Sequence, residues 1–214
     1  MADLRVAVPR GALFEDSLEL LDRLGFETQE VRTNDRKLLF EDAGIVTMRP
    51  SDVPTYVEAG AADIGITGKD VLMEQSERDL YELRDLSYGQ CRMVLATVAH
   101  EDRAATRGYL VAIRITPRRR RASAARHFEQ TGRQAEIVEV KGSVELAPLT
   151  GLVEGIVDLT ATGTTLRENG LVVREEIAVC TARLIANPVA HKLKAGPIDQ
   201  LLAQLRRLPA AGVA

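Results

Sequence analysis

The sequence predicts an α/β fold of two lobes with mixed or largely parallel sheets. Two observations carry this. Strand-like and helix-like stretches alternate along all 214 residues, the pattern of α/β chains. One local design also occurs twice: Asp63-Ile64-Gly65-Ile66-Thr67-Gly68-Lys69-Asp70 and Val157-Asp158-Leu159-Thr160-Ala161-Thr162-Gly163-Thr164-Thr165 each read as a strand, a small polar turn and a helix start. Two such halves predict two lobes with ligands held in a cleft between them.

The elements follow in order. Leu4 to Val8 reads as a strand, broken by Pro9-Arg10-Gly11. Leu18, Leu21 and Leu24 have helical spacing from Phe14 onward, and Gly25 stops that helix. Lys37 to Phe40 and Gly44 to Met48 read as strands around an Asp42-Ala43-Gly44 turn. Ser51 is a candidate N-cap for a short helix through Val57. Ala62 to Thr67 is a buried strand, and Gly68-Lys69-Asp70 opens a helix. The pattern restarts near Tyr88, with strands at 93–98 and 110–115. A helix follows from Pro117 to Gln130, capped by Thr116. Strands at 135–140 and 155–160 flank a helical turn, and a short helix at 165–169 is closed by Gly170. Glu176 to Ala186 is one long β-rich run. Pro188 to Leu208 is a terminal helix that Gly196-Pro197 breaks or restarts. The chain is expected to cross between lobes near residues 88–93 and 174–179. Lobe one is then 1–88 plus 176–214, and lobe two is 89–175.

Composition removes several function classes. Lys+Arg is 28 and Asp+Glu 31, a net charge of -3, so a non-specific nucleic-acid binder is disfavoured. Tryptophan is absent and aromatics are 4%, which argues against base-stacking platforms. His100, His127 and His191 lack metal-ligand spacing. Cys91 and Cys180 flank the expected crossings and read as buried structural thiols in a reducing cytoplasm. No signal peptide is apparent at the N-terminus, and no stretch reaches the ~18 apolar residues of a membrane span.

The segment from Asp158 to Leu166 carries the clearest chemistry. Thr160, Thr162, Thr164 and Thr165 supply hydroxyls, and Gly163 lets the backbone approach a ligand. N–H groups at a helix start among hydroxyl donors suit a phosphate; the alternative is a capped helix behind a polar turn. Asp158 would repel phosphate, so ribose hydroxyls or a diphosphate-borne Mg²⁺ suit it better. Thr67, Gly68 and Asp70 form a second candidate wall, with Asp70 alternatively a helix-dipole complement. Glu145, three residues into a helix begun by Gly142 or Ser143, reads either as a capping residue or as a site acid. Arg10, Arg36, Arg49 and Arg92 are single arginines beside turns or strand ends and suit bidentate phosphate contacts. The run Arg118 to Arg121 reads as a solvated face.

Five motifs in order resemble the ATP phosphoribosyltransferase family over nearly the whole chain. They are Leu4 to Gly11, Arg49 to Val57, Asp63 to Asp70, Gly142 to Pro148, and Asp158 to Leu166 followed by Asn169-Gly170-Leu171. Each is weak alone; together they are specific. The resemblance implies a periplasmic-binding-protein-like (type II) fold. It also implies the first step of histidine biosynthesis, in which ATP and phosphoribosyl pyrophosphate give N1-(5-phosphoribosyl)-ATP and pyrophosphate. It implies a phosphoribosyl pyrophosphate loop of Asp158, Thr160, Thr162, Gly163, Thr164 and Thr165, and a catalytic set of Glu145, Asp158 and Arg36. Arg10, Gly11, Arg49, Thr67, Gly68, Asp70 and Arg92 fall to ATP. Mg²⁺ would be held mainly by the substrate diphosphate. The chain's length matches the family's short form, which implies a homodimer within a larger hetero-oligomer. Its partner there is a separate regulatory subunit resembling histidyl-tRNA synthetase. A non-catalytic small-anion-binding protein of the same fold is the alternative. The sequence departs from the family pattern at Ala12, where arginine is usual, and at Ala112-Ile113-Arg114-Ile115-Thr116, which lacks a Tyr-Pro.

Overall fold

A computed structural model describes residues 3–75, 78–99, 109–114 and 121–208, the side chains of 109–114 and 121 excepted. The described chain is mixed α/β and divides into two compact units, 1–89 with 181–214, and 90–180. The expected cap Thr116 with Pro117, together with His100, Ile115 and Arg118 to Arg120, lies outside the described residues, as does the Arg121 side chain.

The first unit is a six-stranded sheet in the order β2-β3-β1-β4-β11-β5. Its strands are β1 (Val6–Pro9), β2 (Leu39–Phe40), β3 (Ile45–Met48), β4 (Ile64–Gly68), β5 (Tyr81–Asp85) and β11 (Ala182–Ala186). β1 lies parallel to β3 and β4, and β11 runs antiparallel to β4 and β5. The two-residue period of a strand sorts the core. Val6 and Val8 of β1, Ile64 and Ile66 of β4, and Leu184 of β11 share one face with Leu18 and Leu21 of α1 (Phe14–Arg23) and with Ile198, Leu201 and Leu205 of α9 (Ala195–Arg207). Ala7 and Ile185 turn the other way, onto Val53 and Val57 of α3 (Val53–Glu58). Gly65 belongs to that second face, because a Cβ there would stand 2.7 Å from both Val53 and Val57. Gly25 does end α1. At φ +82 its N–H reaches Asp22 O and the next N–H, of Phe26, reaches Leu21 O, the bond pair of a Schellman cap.

The second unit is a five-stranded sheet in the order β10-β6-β9-β7-β8. Its strands are β6 (Cys91–Val98), β7 (Tyr109–Arg114), β8 (Ala135–Val140), β9 (Gly155–Thr160) and β10 (Leu171–Cys180). Met93, Leu95 and Val157 pack on Ala124 and Phe128 of α5 (Arg121–Gln130). Val94, Ala96 and Ile156 face Ala147 of α6 (Leu146–Leu149) and Leu166 of α7 (Thr164–Glu168).

Several expectations change. The β-rich run from Glu176 to Ala186 is two strands in two sheets, divided at Thr181, and β10 begins five residues earlier, at Leu171. The chain leaves the second unit at Cys180, whereas a boundary at 175 would cut β10 in half. Ser51 is not an N-cap. Asp52 holds that position, no side chain caps α3, and Ser51 Oγ bonds Asp52 Oδ1 at 3.2 Å. The terminal helix breaks at Lys194, between α8 (Pro188–Leu193) and α9, and Pro197 sits in the first turn of α9, where its missing N–H costs nothing. The sequence does not announce α2 (Gln29–Thr33) or β5. α2 is five residues long, and β5 is an edge strand whose side chains are half-buried or exposed, so neither shows a clear apolar period. α4 (Lys69–Glu74) follows β4 directly.

Candidate functional site

In the second unit the candidate residues collect at one end of the sheet. Asp158 and Thr160 follow Ile156 at two-residue steps, so all three face α6 and α7. β6 runs antiparallel beside β9 and places Arg92 opposite Thr160. The Arg92 guanidinium also lies 3.5 Å from Glu176. At the same end, β8 leads into the segment that carries Glu145. The structure corrects the reading of Glu145 as a residue three places into a helix. It is the residue just before α6, and its side chain makes no cap bond. Glu145 and Asp158 are nonetheless buried, at 7% and 6% exposure. Two carboxylates kept from water, one late in β9 and one just before α6, stand out in the unit, since a buried carboxylate is costly unless it is paired or hydrogen-bonded.

The loop between β9 and α7 is Ala161-Thr162-Gly163. Gly163 has φ +73, a conformation other residues adopt at a cost. Its N–H donates to Thr160 Oγ1 at 2.8 Å, and the Thr162 and Thr164 hydroxyls are 3.0 Å apart. Arg167, which the sequence reading passed over, reaches back from α7. It donates to Thr162 O at 2.9 Å and to Thr164 Oγ1 at 3.0 Å. The Thr-x-x-Arg spacing that brings them together was available in the sequence. Thr165 is exposed in the first turn of α7.

In the first unit the parallel strands β1, β3 and β4 end together, and open α/β sheets bind ligands at such carboxyl ends. Arg10 and Gly11 follow β1, Arg49 follows β3, and Thr67 and Gly68 close β4. Arg10 is fixed on several sides. Its Nε donates to Thr47 Oγ1 at 3.0 Å and its Nη2 to Lys37 O at 3.0 Å, Asp35 stands 3.6 Å away, and Phe14 lies under the guanidinium at 5.4 Å. Arg36 sits in the segment holding Arg10, and both Arg36 and Arg49 are exposed. Thr67 and Gly68 are not a turn. Both are strand residues paired with Arg183 and Ala182, and Thr67 Oγ1 donates to Pro50 O at 3.1 Å. Asp70 lies in the first turn of α4, beside Gly68.

A cavity of about 360 Å³ lies at the opposite ends of these strands, lined by Asp3, Arg5, Glu41, Asp63 and Lys194 among others. There Lys194 bonds Asp63 Oδ2 at 2.8 Å and Asp3 O at 2.7 Å, a latch between the α8–α9 junction and the start of β1. Cys91 and Cys180 are cross-strand partners in the second unit and form no disulfide. Among the described residues no group of three or more His, Cys, Asp or Glu is placed to hold a metal ion, and no helix is long and apolar enough to cross a membrane.

Comparison with known proteins agrees with the family resemblance. A family model described as ATP phosphoribosyltransferase matches residues 49–207. The chain is 52% identical over 213 residues to an ATP phosphoribosyltransferase of Rubrobacter xylanophilus, covering 97% of each. It is 44% identical over 208 residues to one of Geobacter metallireducens, covering 95% of this chain and 97% of the other. Among solved structures it resembles an ATP phosphoribosyl transferase (HisG:HisZ) complex from Thermotoga maritima. The TM-score there is 0.77 at 36% identity, with 95% of this chain and 97% of that chain covered. An alkanesulfonate-binding protein from Xanthomonas axonopodis matches with a TM-score of 0.57 at 12% identity, covering 97% of this chain and 73% of that one. This is a likeness of fold alone, and it places the chain among periplasmic-binding-protein-like folds.

Proposed function

The chain belongs to the ATP phosphoribosyltransferase family, and from that membership we propose how its residues carry out the transfer. It is a glycosyltransferase of the first step of histidine biosynthesis. It joins adenine N1 of ATP to the anomeric carbon of phosphoribosyl pyrophosphate and releases pyrophosphate. Positive charge grows on the sugar and negative charge on the leaving group. Groups preset against those charges lower the barrier, and no protein nucleophile is required. The observation that carries the reading is the pair of buried carboxylates, Glu145 and Asp158, at the sheet end that also holds the Thr160 to Thr165 loop.

In this reading Asp158 and Glu145 face the ribose and oppose its developing charge. Thr160, Thr162, Gly163, Thr164 and Thr165 line the phosphate groups, with the Thr160, Thr162 and Thr165 hydroxyls as the donors and Gly163 giving the backbone room to approach. Arg92, expected among the ATP contacts, stands beside Thr160 and adds its cation at that loop instead. Arg10, Gly11, Arg49, Thr67, Gly68 and Asp70 hold ATP, and Arg36 serves the transferring groups. The donor set suits Mg²⁺ carried by the diphosphate. Asp158 and Glu145 offer hard oxygen ligands. When bound, the ion would neutralise the leaving group. Most of the remaining task is holding two anionic substrates in line.

The Thermotoga maritima relative was solved with HisZ. This supports a separate regulatory subunit, related to histidyl-tRNA synthetase, for the present chain, with a homodimer of the chain inside the hetero-oligomer. The substrates are metabolites of the cytoplasm, and the reading puts the enzyme there.

The test supplies ATP, Mg²⁺ and phosphoribosyl pyrophosphate to the protein, with and without a HisZ-type subunit. Pyrophosphate release should require both substrates and rise with the partner. No release under any combination would refute the reading. Asp158→Asn should lower turnover on the order of 100-fold while substrate binding stays within about threefold. A non-catalytic receptor would show a change of affinity alone.

A further inference from the structure

We infer that Arg167 is a positioning residue, which shapes the loop from Thr160 to Thr164 to receive the phosphate groups of phosphoribosyl pyrophosphate. The inference rests on the function proposed above. The loop has few bonds of its own. They are the Gly163 N–H to Thr160 Oγ1, the Thr162–Thr164 hydroxyl pair, and a long 3.4 Å contact from Thr164 N–H to Thr162 Oγ1. Gly163, with a left-handed backbone and no side chain, does not stiffen it.

Arg167 supplies the missing constraint. Side chains on a helix lean toward its N-terminus, so a residue three places after Thr164 lies over the loop that precedes α7. The guanidinium spans Gly163, with one nitrogen 2.9 Å from Thr162 O and the other 3.0 Å from Thr164 Oγ1. A Cβ on residue 163 would lie 3.3 Å from Arg167 Nη1, a tight contact, and the left-handed backbone there already favours glycine. A planar fork with two nitrogens holds two acceptors in a fixed geometry, which the freely rotating single nitrogen of a lysine does not impose.

The chemical consequence is a change in what the loop presents. A carbonyl oxygen and a hydroxyl lone pair repel a phosphate. Arg167 covers one of each. With an N–H on its oxygen, Thr164 is set to donate its hydroxyl hydrogen to Thr162, which leaves the Thr162 hydroxyl hydrogen for a ligand. The loop then offers donors in place of a mixture, and the positive charge lies beside the anion. Among the described residues no carboxylate pairs with Arg167, and the side chain is exposed.

The test uses the full chain with its regulatory subunit. Arg167→Ala should raise KM for phosphoribosyl pyrophosphate about tenfold, or about 1.4 kcal/mol. KM for ATP should stay within about twofold and kcat within about threefold. Arg167→Lys, which keeps the charge without the planar fork, should recover part of the loss. Calorimetry with phosphoribosyl pyrophosphate and Mg²⁺, without ATP, should show the same weakening, and the thermal midpoint should move by less than about 2 °C. In a Thr164→Ala background the Arg167→Ala penalty should shrink, because part of its path is gone. An unchanged KM for phosphoribosyl pyrophosphate, an equal rise in both KM values, or an undiminished penalty in the Thr164→Ala background would overturn the positioning role. A wild-type protein that turns nothing over would instead remove the functional reading beneath it.

Discussion

Glu175 shows what a single residue can hide from the sequence. Its carboxylate takes both Arg133 nitrogens, at 2.5 and 2.6 Å, and a ring nitrogen of His127 at 2.9 Å. These partners lie 42 and 48 positions away, so no local pattern announces the cluster. The bonds from Arg133, then from His127, outweigh partial burial and hold the Glu175 carboxyl below the usual carboxylate range. The folded chain therefore keeps Glu175 ionised at a pH where the unfolded chain binds a proton. The stabilisation is complete above the unfolded pKa, about 4.3, and is lost as pH falls through the lower folded value. Urea unfolding of wild type and Glu175→Gln should show a modest gap at pH 7 that closes as the pH is taken below about 4. A gap that widened in acid would contradict the assignment. The threonines of the phosphate loop are the opposite case. Thr160, Thr162 and Thr164 bond within their own segment, and the sequence shows them as a group. Arg10 lies between these cases. It is recognisable as a lone arginine after a strand, yet its aim is set by Thr47 and by the backbone of Lys37.

At the scale of elements, legibility follows length and periodicity. α1 is readable from its leucines and its closing glycine, and β4 and β9 from short, mainly apolar stretches that run into a small polar turn or a helix start. β5 was not, because an edge strand with one half-covered face carries no clear alternation. Caps were the least readable feature. Ser51 has the right chemistry and does not cap α3. Asn187 does cap α8. Its Oδ1 accepts from Val189 and Ala190 N–H at 2.9 Å each, while its Nδ2 donates to Val57 O and Glu58 O at 2.9 and 3.0 Å. One buried amide thus ties the start of α8 to the end of α3. Asn187→Ala removes the cap, worth about 1 kcal/mol, and strands carbonyls away from water, worth a further 1 to 2. The expected loss is about 2 to 3 kcal/mol, or roughly 5 to 10 °C in thermal midpoint. A shift below about 2 °C would mean that water replaces the side chain at both ends.

At the scale of the molecule, the last segment belongs with the first. β11 lies between β4 and β5, and α9 covers the β1–β4 face with Ile198, Leu201 and Leu205. A chain ended at Cys180 should therefore lose the first unit's fold and keep the second's, whose two apolar clusters lie wholly within 90–180. Hydrogen exchange would show this as fast amides at 6–8 and 64–68 beside slow ones at 93–97 and 155–160. Protection at 64–68 in the shortened chain would refute it. The sequence by itself determined the α/β class, most of the strands and helices, the threonine loop and, through ordered motifs, the family. All of these are written in neighbours along the chain, where periodicity, turn chemistry and spacing act. Only the tertiary structure decided that the β-rich run after Leu171 divides between two sheets at Thr181. It alone decided that Arg92 stands against Thr160, and that Glu145 and Asp158 are buried at one sheet end. The physical reason is that an apolar strand states which face it must bury. Its partner strand is chosen by packing between segments up to a hundred or more residues apart, as β4 and β11 are, and that choice leaves no local mark.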